Sequence, residues 1–154
     1  LSTLYTQTIG LLILLLILHT LFTPVVIHDW PGAFMMFLLA WGSGCVIGLV
    51  LMAAKPWMPD VVQIVQLVYI RANMIASGKM FVANMLPTSM IAFFDWNPLF
   101  HVIDQARGFV FVNYFPHHTN WQYPLYFTLT VLVIGFMAEA YTRKHASASW
   151  AAGR

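Results

Sequence analysis

Charged residues are scarce in this chain. Only 8% of its 154 residues are Asp, Glu, Lys or Arg, whereas 60% are hydrophobic, and the mean hydropathy is +0.77. Soluble domains carry charge on about a quarter of their residues, so this composition excludes an ordinary soluble protein and predicts an all-α integral membrane protein. The net charge is only +2 and the basic residues are scattered. We therefore expect no nucleic-acid partner, because such a partner requires a clustered basic surface.

Cysteine, phosphate-binding loops and catalytic motifs are also lacking. The single cysteine, Cys45, lies in an apolar run and has no second cysteine to pair with, so it says nothing about the redox compartment. We interpret it as a small residue at a helix contact. The chain contains no glycine-rich phosphate loop and no recognisable set of nucleophile, base and acid. We predict that the chain is not an enzyme and binds no cofactor of its own.

The six histidines do not have the spacing of a metal site. No two of them are three or four residues apart, and the adjacent His117 and His118 follow Pro116 without acidic or cysteine neighbours. His19 falls inside an apolar run, where a hydrogen bond between helices is the simpler interpretation. The sequence therefore predicts no metal site.

Four segments are long and apolar enough, or nearly so, to cross a membrane as helices of about 20 residues. They cover residues 6–27, 33–54, 61–83 and 123–141, and a polar, basic tail follows over residues 142–154. All four belong to a single transmembrane domain, residues 1–154. The first apolar run begins almost at Leu1 and has neither the basic start nor the short length of a signal peptide, so we expect a further segment upstream.

Lys and Arg near the ends of the spans predict the orientation. Lys55 lies between the second and third spans, and Arg143, Lys144 and Arg154 lie in the tail. With four spans these two regions share one side of the membrane, and the positive-inside rule places that side in the cytoplasm. The C-terminus is then cytoplasmic, and the HDWPG loop before the second span faces outward.

Small residues recur every four positions in the second span, at Ala40, Gly44 and Gly48. Small residues at this spacing let another helix approach closely. The approaching helix can belong to the same chain or to a second copy, and the spacing does not distinguish these two alternatives.

The stretch over residues 84–111, between the third and fourth spans, is apolar but broken. Pro87 and Pro98 interrupt it, and Asp95 places a charge between them. At membrane depth, an interrupted helix is tolerated only where protein or a water-filled cavity satisfies the freed backbone groups. A segment of this kind usually lines a path or a site.

Two short helices, at about residues 87–95 and 97–111, are predicted within this stretch. Asn97 is a favourable N-cap, and Pro98 after it suits the first helical position. Asp104 and Arg107 are three residues apart, so they can form an ion pair on one helix face. The sequence thus predicts a re-entrant helical hairpin. The aromatic residues expected to anchor it at the membrane interface are Phe93, Phe94, Trp96 and Phe100.

Arg71 and Lys79 place basic side chains in the third predicted span. A charge near the centre of a membrane helix costs at least about 2.5 kcal/mol on insertion scales, so Arg71 should face protein or water. Arg71 either forms an ion pair with Glu139 or Asp104 or lines a polar route. On a continuous helix, Lys79 would lie roughly 80° around the axis and about 12 Å along it from Arg71. Such a basic face would suit anionic substrates.

The residues of the broken stretch resemble a known family. Ser77 and Gly78, then Leu86 and Pro87, then the run WNPLFHVIDQAR, and finally an uncharged span with a basic tail, resemble the C-terminal half of ABC-2 type permeases. The likeness is greatest to the polysaccharide exporters of capsule, O-antigen and teichoic acid systems, and it covers essentially the whole chain.

The resemblance implies a permease subunit of the bacterial inner membrane with six spans, of which this chain holds the last four. Such permeases sit in membrane lipid, dimerise and pair with two nucleotide-binding ATPase subunits, which bind the ATP and Mg²⁺. They export polysaccharide or lipid-linked glycan between the two permeases. Residues 83–111 would close the channel on the outer side, and residues 55–60, with Lys55, Trp57 and Asp60, would be the coupling loop that meets the ATPase.

Seven residues are candidates for the substrate path and the gate. Arg71 and Lys79 would attract an anionic substrate, and aromatic rings would stack on sugars. The full set is Tyr69, Arg71, Lys79, Trp96, Asn97, Asp104 and Arg107.

A hypothesis of a different class is a non-transporting accessory subunit of a larger membrane complex, derived from a truncated permease. Such a subunit would bind its partners through the face that carries Gly44 and Gly48. Lys79 leaves this alternative open, because many relatives of the resembled family carry an apolar residue there. An enzyme that acts on lipids has little support.

Overall fold

The computed structural model describes residues 2–21 and 27–152, with side chains up to residue 145. Over these residues the chain consists of helices joined by turns and loops, which confirms the predicted all-α class. The helices are α1 (Ser2–Leu21), α2 (Trp30–Ala54), α3 (Pro59–Ala76), α4 (Thr88–Phe94), α5 (Pro98–Val110) and α6 (Gln122–Ala152), and a single 3-10 turn covers Ala83–Met85.

Three of the described helices are long and apolar enough to cross a membrane. They correspond to the first, second and fourth predicted spans. α1 ends at Leu21, whereas the first span was predicted to continue to residue 27. Most of this difference, residues 22–26, lies outside the described residues. α6 continues beyond the predicted boundary at residue 141 through most of the tail, because the tail is rich in alanine and other good helix formers.

The third predicted span is shorter as a helix than the sequence indicated. α3 ends at Ala76 instead of residue 83, with Ser77 as its C-cap. Gly78 follows with φ +73°, a left-handed conformation that ends a right-handed helix and that glycine adopts without strain. Lys79 therefore lies beyond the helix, and the helical face that it was predicted to share with Arg71 does not form.

The most extensive contact between helices joins α2 and α6. Gly135 of α6 is buried against α2, and a Cβ at this position would lie 2.9 Å from Leu49 Cδ2. Closer to the C-terminal ends of the two helices, Thr142 Oγ1 donates a hydrogen bond to the Ala53 carbonyl at 2.9 Å. Residue numbers rise together along this contact, so α2 and α6 are parallel.

α5 packs along the N-terminal half of α2. The Asp29 amide, just before α2, donates to the Phe109 carbonyl near the end of α5 at 2.9 Å. At the other end of α5, Leu99 lines the same groove as Ala40, which lies near the middle of α2. α5 therefore runs from the middle of α2 to its beginning.

α4 and α5 lie where the two short helices of the broken stretch were expected, and Asp95, Trp96 and Asn97 connect them. Asn97 is the N-cap of α5, since its Oδ1 accepts from the Leu99 amide at 3.0 Å, and Pro98 occupies the first helical position. The connection between the two helices lies at the level of the middle of α2.

The aromatic residues of the hairpin divide between core and surface. The rings of Phe81, Phe94 and Phe100 form a cluster with centroids 4.9 to 6.3 Å apart. Phe100 is 1% exposed and thus belongs to the core, so the expectation that it anchors the hairpin at the interface is wrong. Phe93 and Trp96 are exposed.

The two glycines of the predicted small-residue stripe on α2 do not pack against another described part of the chain. Gly44 and Gly48 are exposed, and a Cβ added at either would meet no described atom within 4 Å. The contacts of α2 with α5 and α6 bury other positions, including Ser43 and Val46. Among the described residues, the intrachain alternative is therefore wrong for both glycines, while contact with a second copy stays a prediction.

Candidate functional site

Polar side chains of the hairpin gather where α3 ends, in a cluster that we call the hairpin junction. α5 supplies most of these side chains, and the loop after α5 and the end of α3 supply their partners. The junction consists of Asn73, Asn97, His101, Asp104, Arg107, Tyr114 and Thr119.

Asn97 joins the tip of the hairpin to α3. Its Nδ2 donates to Asn73 Oδ1 at 2.9 Å and to the Ala76 carbonyl at 3.2 Å, while its Oδ1 caps α5. The Ala76 carbonyl is one of the last four of α3, which have no partner within their own helix. One side chain, only 3% exposed, thus satisfies groups at the end of α3 and at the start of α5.

Arg107 holds the non-helical chain that follows α3. Its Nη2 donates to the Gly78 carbonyl at 2.6 Å and its Nη1 to the Phe81 carbonyl at 2.9 Å. An unpaired carbonyl in apolar surroundings is unfavourable, and the guanidinium replaces the bonds that these carbonyls would make in a helix. The Asp104 carboxylate lies 3.9 Å from Nη1, so the predicted pairing of Asp104 with Arg107 is the longest of these contacts.

Asp104 is a buried carboxylate, 1% exposed. Its Oδ1 accepts from the Tyr114 hydroxyl and its Oδ2 accepts from Thr119 Oγ1 at 2.8 Å. A buried charge requires such hydrogen bonds and an opposite charge, which Arg107 supplies. Burial, together with the hydrogen bond to Asp104, raises the pKa of Tyr114 to about 12.

His101 connects the tip of the hairpin to the loop before α6, and sequence reasoning did not select it as a site residue. It is 4% exposed, and its Nδ1 accepts from the Asn120 amide at 3.2 Å. Its Nε2 therefore carries a hydrogen, which it donates to the Asp95 carbonyl at 2.7 Å beside the Asp95 carboxylate at 3.2 Å. The sequence feature that could have pointed to His101 is its position one turn after Asn97, the predicted N-cap of this helix. In the described part of the chain, no three potential metal ligands come together.

Two further hydrogen bonds, from Gln105 and Asn84, hold the loop over residues 111–121 against the hairpin and the residues just before it. Gln105 Nε2 donates to the Thr119 carbonyl at 2.7 Å, and Asn84 Nδ2 donates to the Phe115 carbonyl at 2.8 Å. The partners are 14 and 31 residues apart along the chain, so no local sequence pattern reveals these contacts.

The structure does not bring Arg71 into the hairpin junction. Arg71 lies exposed on α3 and forms no ion pair with any described residue. Glu139 instead pairs with Arg143 at 2.7 Å, and Asp104 pairs with Arg107. The ion-pair alternative for Arg71 is therefore wrong.

A groove of about 400 Å³ lies between α2 and α3, next to the hairpin tip. Lys79 is the one charged side chain among the described residues that line it. Tyr69 lines both this groove and a smaller cavity of about 80 Å³, which Trp96 and Asn97 also line. The structure therefore brings four of the predicted path residues together. The lining of the larger groove is Ala40, Ser43, Gly44, Tyr69, Ile70, Asn73, Met74, Lys79 and Leu99.

At the opposite end of the fold, the predicted coupling loop is joined to α6. Trp57 Nε1 donates to Thr142 Oγ1 at 3.0 Å, and the indole stacks on the Tyr141 ring with centroids 6.2 Å apart. Lys55 is exposed, and Asp60 lies in the first turn of α3, where the helix dipole favours a carboxylate. Sequence reasoning missed Thr142, because its partners are distant in the chain.

The described helices and the buried polar junction define a multi-pass helical membrane protein. By sequence it is similar to two proteins of Escherichia coli, both named polysialic acid transport protein KpsM. One is 28% and the other 27% identical to the chain, each over 117 residues, which is 73% of this chain and 45% of the relative. The chain therefore spans less than half the length of the curated relatives that it matches. No protein-family model and no solved structure matches it.

Proposed function

We propose that the chain is part of the permease subunit of an ATP-driven, ABC-2 type exporter of polysaccharide or lipid-linked glycan. The observation that carries this proposal is the similarity to polysialic acid transport proteins over 73% of the chain. The subunit acts as a dimer in the bacterial inner membrane, together with a nucleotide-binding ATPase subunit on the cytoplasmic side. ATP and Mg²⁺ bind to that partner, and the permease chain itself is not an enzyme.

In this proposal α3 and the non-helical chain after it together make a fourth crossing, because α3 itself ends beside Asn97, at the level of the middle of α2. α3 begins next to the loop that contains Trp57 and ends next to Asn97, so it leads from one end of α2 back towards the hairpin. The 18 residues of α3 rise about 27 Å, less than the roughly 30 Å of a bilayer core, so the residues after Ala76 complete the crossing. The non-helical chain after Ala76 lies at the hairpin, where Arg107 satisfies its carbonyls.

The hairpin is re-entrant in this proposal. α5 leads from the middle of α2, at Leu99, back to the beginning of α2, at Phe109, so the hairpin enters and leaves on one side. The other side carries Lys55 and the basic end of α6, which favours a cytoplasmic position for that side and for the C-terminus. The hairpin then faces outward and forms the outer gate.

The groove between α2 and α3 is the substrate path of this proposal. Lys79 supplies a positive charge within it. Arg71 does not line the groove, but it is exposed on α3 with no ion pair among the described residues, so both side chains are available to anionic groups. Trp96 is 65% exposed at the hairpin tip, and its indole N–H already donates to the Phe93 carbonyl at 2.6 Å. Its ring face is the part that a sugar can contact.

Gene deletion and complementation in the source bacterium test the proposal. Deletion should abolish surface polysaccharide and leave polymer inside the cell, and a plasmid copy of the gene should restore export. A tagged copy should co-purify with an ATPase, and replacing the phosphate-binding lysine of that ATPase should block export as completely as the deletion does. Normal surface polysaccharide after deletion, with recovery of a large complex that contains no ATPase, would support the accessory subunit instead.

A further inference from the structure

Thr142 uses its hydroxyl differently from the neighbouring threonines of α6. Thr128 and Thr130 each donate to the carbonyl four residues earlier in the same helix, at 2.7 and 2.8 Å. This is the usual local bond of a threonine inside a helix. Thr142 donates instead to the Ala53 carbonyl of α2. Its hydroxyl therefore joins two helices.

The same hydroxyl also reaches the loop after α2. Ala53 lies in the last turn of α2, where the carbonyls have no partner within the helix, so the bond from Thr142 satisfies a group that needs one. The oxygen of Thr142 at the same time accepts from Trp57 Nε1 at 3.0 Å. Thr142 is 9% exposed, so water has little access to either bond.

The backbone of the loop bonds to α2. The amides of Trp57 and Met58 both donate to the Ala54 carbonyl, at 3.1 and 3.2 Å. The Trp57 side chain supplies the contact with α6, through its hydrogen bond to Thr142 and its stacking on Tyr141. Among the described residues, the Trp57 side chain makes the hydrogen bond and the ring contact that join the loop directly to α6.

We propose that Thr142 is a positioning residue that fixes the coupling loop, residues 55–60, to α6. This inference rests on the proposed function, in which the loop meets the ATPase. A displacement of the loop by the ATPase passes through Trp57 and the Thr142 hydroxyl to α6 and, through Ala53, to the end of α2. Without the hydroxyl, the ATPase still binds the loop, but the loop turns independently of α6 and less polymer is exported for each ATP hydrolysed.

Four variants separate the hydroxyl from the shape of the side chain. Thr142→Val removes the hydroxyl and keeps the branched shape, whereas Thr142→Ser keeps the hydroxyl. Thr128→Val is the matched control, because it makes the same substitution at a threonine whose hydroxyl donates to a carbonyl of α6 itself. Trp57→Phe removes the indole N–H and keeps a ring to pack on Tyr141.

The first measurement is amide hydrogen exchange of the full chain in membranes, which requires no transport activity. In Thr142→Val the Met58 amide should exchange about fivefold faster, the factor expected because the loop loses one neutral hydrogen bond, that of Trp57 to Thr142. Thr142→Ser and Thr128→Val should match the wild type. Trp57→Phe should have no further effect in the Thr142→Val background, because both remove the same bond. Unchanged exchange in Thr142→Val would overturn the positioning role.

The second measurement is the amount of polymer exported per ATP hydrolysed, in vesicles that contain the chain and its ATPase. Thr142→Val should lower this ratio by up to about fivefold without loss of ATPase binding, and Thr142→Ser should restore it. Unchanged coupling in Thr142→Val, with normal export by the wild type, would overturn the inference and leave the proposed function standing. Absence of ATP-dependent export by the wild type would overturn the proposed function itself, and the coupling role with it.

Discussion

Arg107 donates a hydrogen bond from its Nη2 to the backbone carbonyl of Gly78 at 2.6 Å. The contact joins α5 to the point at which the chain turns out of α3 through the left-handed conformation of Gly78. A non-helical segment inside a membrane protein requires partners for its carbonyls, and this guanidinium provides them for two. The broken third segment and the hairpin are therefore parts of one structure.

Replacement of Arg107 by alanine should destabilise the fold by about 3 kcal/mol. The change leaves the Gly78 and Phe81 carbonyls without their donor and Asp104 without its opposite charge. Arg107→Lys should be intermediate, since an ammonium lacks the planar pair of donors. Thermal unfolding in detergent measures the effect. Under the proposed function, surface polysaccharide should also fall while the protein stays inserted. Wild-type stability of Arg107→Ala would contradict the role described here.

Gly135→Ala should destabilise the contact between α2 and α6 by about 1 to 3 kcal/mol. The added Cβ would lie 2.9 Å from Leu49 Cδ2, so that side chain must move in a packed interface. Gly42→Ala, in α2, is the matched control, because its Cβ would meet no described atom within 4 Å and Gly42 lies outside the predicted stripe of Ala40, Gly44 and Gly48. The control should be at least as stable as the wild type, by up to about 1 kcal/mol, because alanine has the higher helix propensity. Equal effects of the two substitutions in unfolding measurements would refute the packing difference.

Tyr114 should make stability depend on pH in the alkaline range. Burial and the hydrogen bond to Asp104 raise the pKa of Tyr114 from 10.0 to about 12, so folding favours the neutral phenol. This contribution is complete below pH 10.0 and is lost as the pH rises through about 12. Tyrosinate absorbance should show a phenol that titrates near pH 12 and that disappears in Tyr114→Phe. Asp104→Asn should lower the pKa of Tyr114, and an unchanged titration in that variant would contradict the assignment.

Arg71→Ala should separate function from stability. Arg71 is exposed and has no ion pair among the described residues, so its removal should change the free energy of unfolding by less than about 0.5 kcal/mol. Under the proposed function, export should fall, and Arg71→Lys should restore most of it. Gln66→Ala, at an exposed uncharged position of the same helix, is the control. Unchanged surface polysaccharide in Arg71→Ala would remove Arg71 from the substrate path, and loss of the protein from the membrane would indicate a folding role.

Local signals in the sequence were sufficient for most of the helices. Long apolar runs predicted α1, α2 and α6, and the pair Asn97 and Pro98 predicted the start of α5, because capping depends on neighbouring residues. The end of α3 was predicted too far along the chain, because another local signal, hydropathy, was misleading there. The apolar run continues past Gly78, and the hydropathy of that run outweighed the stop signal that a glycine after a helix provides.

The polar contacts of the site could be predicted only in part. Asp104 and Arg107 share one helix face, so their pairing follows from spacing. Arg107 lies closer to two backbone carbonyls than to Asp104, and these carbonyls are 26 and 29 residues away along the chain. Thr142 bonds to groups that are 85 and 89 residues away. Contacts of this kind depend on how the helices pack, and no periodicity along the chain encodes them.

The parallel arrangement of α2 and α6 restricts how many times the chain between them can cross the bilayer. If both helices cross the bilayer, the chain between Ala54 and Gln122 must make an odd number of net traverses, since an even number would leave them antiparallel. Lys55 and Lys144 must then be exposed to the same compartment, whichever one it is. Labelling of either lysine from one side of a sealed vesicle therefore determines the sidedness of both.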